Sequence, residues 1–159
     1  AAENGHVEVV ELLLADSRVD PSANNNSAIQ SAAENGHVEV VELLLADSRV
    51  DPSSNNNYAI QNAARRGHVD VVRLLLADSR VDPSANGNYA IQKAAENGHA
   101  DVVKLFLLDS RVPNYNYAIQ SAACTGHVDV VKVQLADSRV NPDANHNTAI
   151  RKAVENVQE

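Results

Sequence analysis

The sequence has little in it that could react or cross-link. Among 159 residues there is one cysteine, Cys124, no methionine, one phenylalanine and four tyrosines. A single thiol excludes an internal disulfide framework and fits a reducing compartment. Other units fill the slot of Cys124 with Glu3, Glu34, Arg65 and Glu96, so it reads as a solvent-facing, free thiol. No base is evidently placed beside it, which argues against a catalytic cysteine. With aromatics so scarce, the apolar mass is Val, Leu, Ile and Ala, which suits thin layers between stacked helices. No apolar run approaches the roughly 18 residues needed to span a bilayer, and no signal-peptide pattern opens the chain. The expected location is therefore intracellular, in the cytoplasm, with no membrane partner. A net charge of −8 argues against nucleic acid as a partner, because its phosphates repel such a chain. With no initiator Met and an opening midway through a repeated unit, the chain reads as a segment of a longer array or a recovered fragment.

What is present is repetition. Residues 1–31 and 32–62 match at 28 of 31 positions, and the same block returns at Ala63, Ala94, Ala122 and Ala153. The steps are 31, 31, 31, 28 and 31 residues, so the fourth unit is three residues short. A fixed period of this size predicts a solenoid without a single central core. The whole of 1–159 is then one array, with units starting near 1, 32, 63, 94 and 122 and a partial unit at 153–159. Charge is uneven along it. Residues 1–31 and 32–62 each carry −4, whereas 63–93 carry +2.

One unit reads as follows. Asn57 precedes a short helix, as do Asn26, Asn88, Asn116 and Asn147 in their units, and an Asn there can act as N-cap. Ala59, Ile60, Ala63 and Ala64 form a narrow apolar stripe. Gly67 ends this helix in the left-handed conformation usual for that place. A second helix is predicted from about Val69 to Ala77, with Val71, Val72, Leu74, Leu75 and Leu76 on its apolar side. Asp78-Ser79 breaks it, and Val81-Asp82-Pro83 starts an extended, Asn-rich loop, since Pro83 forces its predecessor out of helix. Such a unit buries too little to fold alone, so its neighbours must complete it.

Helix, Gly-His, then a helix of the form Val-Val-x-Leu-Leu-Leu and a loop: this resembles the ankyrin repeat, most specifically in AAENGHVEVVELLLA. The resemblance covers essentially the whole chain. It implies an all-α fold, a helix-turn-helix repeat solenoid with extended connecting loops. It also implies a non-enzymatic protein-binding scaffold whose partner lies against a concave face of first helices and loops. The chain departs from the family pattern in a period of 31, against about 33. Tyr58-Ala59-Ile60-Gln61 replaces the Thr-Pro-Leu-His opening, and Arg-Val-Asp-Pro stands in the loop. In these respects it looks like the divergent arrays of unicellular eukaryotes and large DNA viruses.

Function is sought where the repeat breaks, because repeated positions build the scaffold. His6, His37, His68, His99 and His127 follow Gly in every unit and tempt a metal reading. Layers stand roughly 8–10 Å apart, whereas zinc ligands lie about 2 Å from the ion, so one His per layer cannot share a metal. A ladder of hydrogen-bonded linkers is the expected reading. The Asp-rich loops lack the calcium-loop order and read as turns. No nucleophile–base–orienter set converges, so neither an enzyme nor a cofactor is expected. Tyr58, Tyr89 and Tyr117 share one slot, with Tyr115 nearby. They form either a binding hot spot or a packing contact on the neighbouring loop. Arg65, Arg66 and Lys93 make a basic island beside that strip, and Asn62 occupies a varying helix slot. These eight residues are the expected contacts of an unknown protein partner. The competing function is a structural spacer. Apolar terminal faces further suggest head-to-tail self-stacking. Two irregularities remain: the shortened fourth loop, Arg111-Val112-Pro113-Asn114, and Phe106 and Gln134 in a core Leu slot. Gln134 is read as an adaptation to an array end.

Overall fold

The computed structural model describes residues 1–113 and 116–155, His146 by its backbone only. Among the described residues a short 3-10 turn, Ala2–Asn4, precedes ten helices. They are α1 Val7–Ala15, α2 Ala23–Glu34, α3 Val38–Ala46, α4 Ser54–Arg66, α5 Val69–Ala77, α6 Ala85–Glu96, α7 Ala100–Leu108, α8 Asn116–Thr125, α9 Val128–Leu135 and α10 Ala144–Glu155. No strand occurs among the described residues, so the fold is all-α and repetitive. The chain divides into two compact units, Ala1–Ala63 with His68–Asp82, and Ala64–Gly67 with Pro83–Glu159.

Within each unit, like packs on like. In the first, α1 packs on α3 and α3 on α5, while α2 lies against α3. In the second, α6 packs on α8 and α8 on α10, and α7 on α9. The core is the small and branched set the stripes predict: Ile29, Ala32, Ala33, Val40, Val41 and Leu44 in one unit, Ile91, Ala94, Val102, Val103 and Phe106 in the other, all essentially inaccessible. The predicted second helix coincides with α5, Val69–Ala77, of which Val71, Val72 and Leu75 are fully buried and Leu74 and Leu76 partly so.

The Asn-rich loop differs from the expected extended one. Asn24, Asn25 and Asn26 have φ/ψ of 54/48, 55/46 and 61/38, a full turn of left-handed helix. Asn55, Asn56 and Asn57 repeat it, as do Asn86, Gly87 and Asn88. Ordinary L-residues avoid this region because Cβ crowds the next carbonyl, at a cost of roughly 1–2 kcal/mol each, and Asn and Gly avoid it least. The turn is pinned from the following helix: the side-chain amides of Gln30, Gln61 and Gln92 donate to the carbonyls of Asn25, Asn56 and Gly87 at 2.6, 2.6 and 2.7 Å.

The N-cap role expected of the last Asn is also corrected. Asn26 Oδ1 accepts the backbone N–H of Asp51 at 2.8 Å, and its Nδ2 donates to Ser54 Oγ at 2.7 Å. Asn57 accepts from the N–H of Asp82 at 2.7 Å, and Asn116 from that of Asn141 at 2.9 Å. At Asn26 and Asn57 the left-handed turn aims the amide at the next repeat's loop and away from its own helix.

Two further ladders run between repeats. His37, His68, His99 and His127 each place Nε2 at 2.8–3.0 Å from a carbonyl one repeat earlier, those of Glu3, Glu34, Arg65 and Glu96. Facing a carbonyl, Nε2 must carry the proton and donate. Gly5, Gly36, Gly67 and Gly98 make room for the His of the following repeat, His37, His68, His99 and His127. At Gly36, φ is +76°, and an added Cβ would lie 2.7 Å from His68 Nδ1. Gly36→Ala therefore combines a left-handed strain with a collision. The expected result is a loss of more than about 1 kcal/mol, read as a lower urea midpoint.

The arginine of Asp-Ser-Arg makes the other ladder. Arg49 clasps Asp47 and reaches back to the carbonyls of Val19 and Leu14 at 2.9 and 3.0 Å. Arg80 does the same to Val50 and Leu45, at 2.8 and 3.2 Å, and Arg139 donates to the carbonyl of Leu107. The hydrogen-bonded guanidiniums hold the Asp47 and Asp137 carboxyls down at about 2. Asp16, Asp78 and Asp109 move in the same direction for the same reason. A depressed folded-state value means stability that is complete above the unfolded carboxylate range and lost as pH falls through the folded value. Unfolding midpoints should hold down to about pH 4 and then fall steeply towards pH 2. In Arg49→Gln the part of that fall due to Asp47 shrinks, because the guanidinium bond goes and only the backbone N–H of residue 49 remains, which a pH series of urea titrations would read.

Candidate functional site

In α4 and α6 the right-handed helix segment begins directly after the left-handed turn, and Tyr58 and Tyr89 stand there. Tyr117 holds the same sequence slot at the start of α8. In the first unit, Tyr58 is 44% exposed. Asn62, one helical turn on, is buried at 5% and its Nδ2 lies 3.5 Å from Glu34 Oε2. Asn62 thus braces the surface from beneath and offers little of itself to a partner.

The second unit holds the basic residues and two tyrosines. Tyr89 and Tyr117 are 38% and 57% exposed. Lys93, a turn after Tyr89, sets its Nζ 5.5 Å from the centre of the Tyr89 ring and 2.6 Å from Glu96 Oε2. The Glu96 carboxylate raises the Lys93 pKa, and the nearby positive charge of Arg65 opposes that shift. Arg65 and Lys93 are therefore electrostatic neighbours. Arg65 is half-buried and Arg66 exposed, both in the last turn of α4, and the Arg65 carbonyl is the one that His99 takes. Tyr115 lies outside the described residues.

Cys124 differs from its expected exposure. It is half-buried in the last turn of α8, beside Thr125, whose hydroxyl donates to the Ser121 carbonyl at 2.9 Å. Gln134, read as an end adaptation, is wholly inaccessible in α9, with neither Oε1 nor Nε2 bonded. The helical register turns that slot inward whatever occupies it. The residues that sequence reasoning missed are the Asn and Arg of the inter-repeat ladders and the Gln that pins each left-handed turn. Their recurrence at one slot in unit after unit was the available signal.

Chemically, the surface can stack and hydrogen-bond through phenols and attract anionic groups through Arg66 and Lys93. Among the described residues, no group of three or more His, Cys, Asp or Glu could hold a metal ion. No described helix is long and apolar enough to cross a membrane.

The family described as "Ankyrin repeats (3 copies)" matches residues 1–56 and 48–116. No curated protein matches the chain. Helix pairs joined through Gly-His, stacked in register and matched by this family over most of the sequence, make the conclusion plain: the chain belongs to the ankyrin-repeat family.

Proposed function

We propose that the chain is a non-enzymatic scaffold that binds a protein partner on the face carrying its first helices and loop junctions, through Tyr58, Tyr89, Tyr117, Arg65, Arg66 and Lys93. Ankyrin repeats are in general protein-interaction modules. The observation that carries the choice of face is the exposure of all three slot-sharing tyrosines, at 38–57%, on a frame whose other repeated apolar slots are mostly buried. Tyrosine combines large contact area with few rotatable bonds, which is why it recurs at binding hot spots. Asn62 supports this face without touching the partner.

The experiment is affinity capture from a native lysate with the wild-type chain and with Tyr58→Ala/Tyr89→Ala/Tyr117→Ala. At hot-spot values of about 2 kcal/mol per residue, the triple variant should lose its specific partners by well over tenfold. Full retention of every partner would remove the tyrosines from the site. The near identity of the first two repeats favours a second reading, a spacer that touches only its own repeats. In that case the wild-type chain captures nothing that the variant does not.

A further inference from the structure

Loops of successive repeats are tied to one another through the last Asn of each left-handed turn. Asn26 Oδ1 takes the N–H of Asp51 at 2.8 Å, Asn57 that of Asp82 at 2.7 Å and Asn116 that of Asn141 at 2.9 Å, each 25 residues on. The residue 25 on from Asn88 is Pro113, whose ring nitrogen carries no hydrogen to donate. Asn26 also donates to Ser54 Oγ at 2.7 Å, and between Pro113 and Asn116 the shortened loop has no serine. Asn88 keeps a partner elsewhere, but the rung that repeats in the other loops cannot form here. A second tie is absent from the same junction. Gln30, Gln61 and Gln92 donate to backbone carbonyls at 2.6–2.7 Å, whereas Gln120, in their slot on α8, is buried with its Nε2 unbonded.

Both missing ties belong to the junction where α8 and α9 stack on α6 and α7. That seam keeps His127 on the Glu96 carbonyl at 2.9 Å and Arg139 on the Leu107 carbonyl. It has lost the rung between its loops. A buried polar group left unbonded favours an open form that water can enter, by roughly 5–150-fold per group. The proline and the shorter loop act the other way, because they restrict the unfolded chain, and are worth about 2–5-fold. The lost bonds therefore outweigh the stiffer loop. We propose that this seam is the opening point of the array: α8 and α9, carrying α10, part from α6 and α7 as one unit while α3 and α5 stay folded. The seam runs between Tyr89 of α6 and Tyr117 of α8, so parting it divides the tyrosine face. The opening itself does not depend on whether those tyrosines bind.

Hydrogen exchange of the 159-residue chain, read amide by amide with NMR, tests this. The slowest amides of α8 and α9 should share one opening equilibrium and exchange faster than those of α3 and α5. Pro113→Ala restores the N–H that Asn26 and Asn57 receive in their own loops, and should slow exchange throughout α8 and α9 by about tenfold. Pro113→Asp, which carries the residue of the other loops, should act in the same direction. Asn88→Gly keeps the left-handed turn but has no side-chain acceptor. In that background Pro113→Ala should not slow exchange, so the two substitutions couple. Exchange graded residue by residue through α8 and α9, or protection there as high as in α5, would overturn the proposal. So would an unchanged rate in Pro113→Ala, or equal slowing with and without the Asn88 side chain.

Discussion

Replacing Gln134 by Leu should raise the unfolding free energy by about 2–4 kcal/mol, one of the two largest single-site effects expected in this chain. The slot is apolar in every earlier repeat: Leu13, Leu44, Leu75 and Phe106. The Gln134 amide is fully inaccessible, and both of its polar atoms lack a partner. Folding therefore strips water from a donor and an acceptor and returns nothing for either, at roughly 1–3 kcal/mol per group. Leu removes both debts at similar volume and adds apolar contact. In urea, the midpoint should move up by roughly 1 M with little change in slope. Gln134→Glu should do the opposite, because it places a charge where even an amide is unsatisfied. A Leu variant no more stable than the wild type would show that the amide is satisfied after all.

Asn26→Ala should cost about 2–4 kcal/mol, from two separable sources. Ala is strained at φ 61°. It also abandons the N–H of Asp51 and the hydroxyl of Ser54, in a position only 6% exposed. Asn26→Gly isolates the second source, since Gly adopts the left-handed region freely. The Gly variant should recover about 1 kcal/mol of the loss. If Ala and Gly prove equally damaging, conformation contributes nothing. If both are harmless, the inter-repeat amide bond does not hold the array together.

The contrast between these two sites and the helices marks what the sequence makes legible. Val69–Ala77 can be bounded from the page because its signals are local: Gly67-His68 before it, a tight run of Val and Leu within it, Asp78-Ser79 after it. The Gly-His ladder was legible for a similar reason, since period and layer spacing together forbid a shared metal. The Asn triplets were not. Asn favours both N-caps and left-handed turns, and the choice is made by a group 25 residues away, the N–H of Asp51 or Asp82. Arg49 and Arg80 hid in the same manner, behind a local Asp-Ser-Arg turn that accounts for them only in part. Asn62 looked like surface because its slot varies, yet a neighbouring repeat covers it. At Gln134 polarity pointed outward and register pointed inward, and register prevailed. As for the candidate site, the tyrosines' shared slot is readable in the sequence, whereas their exposure follows only from the three-dimensional setting of that slot.

One measurement tests most directly the central claim, that repeated positions build and exceptional positions bind. Every exceptional surface residue is returned to its counterpart in the first repeats: Tyr58→Ser, Arg65→Glu, Arg66→Asn, Tyr89→Ser, Lys93→Ser and Tyr117→Ser in one chain. Its captured proteins are then compared with those of the wild type by quantitative mass spectrometry, with helical circular dichroism as the check on folding. The account predicts an intact helical array that has lost the wild type's specific partners. A folded chain that keeps them all would contradict it.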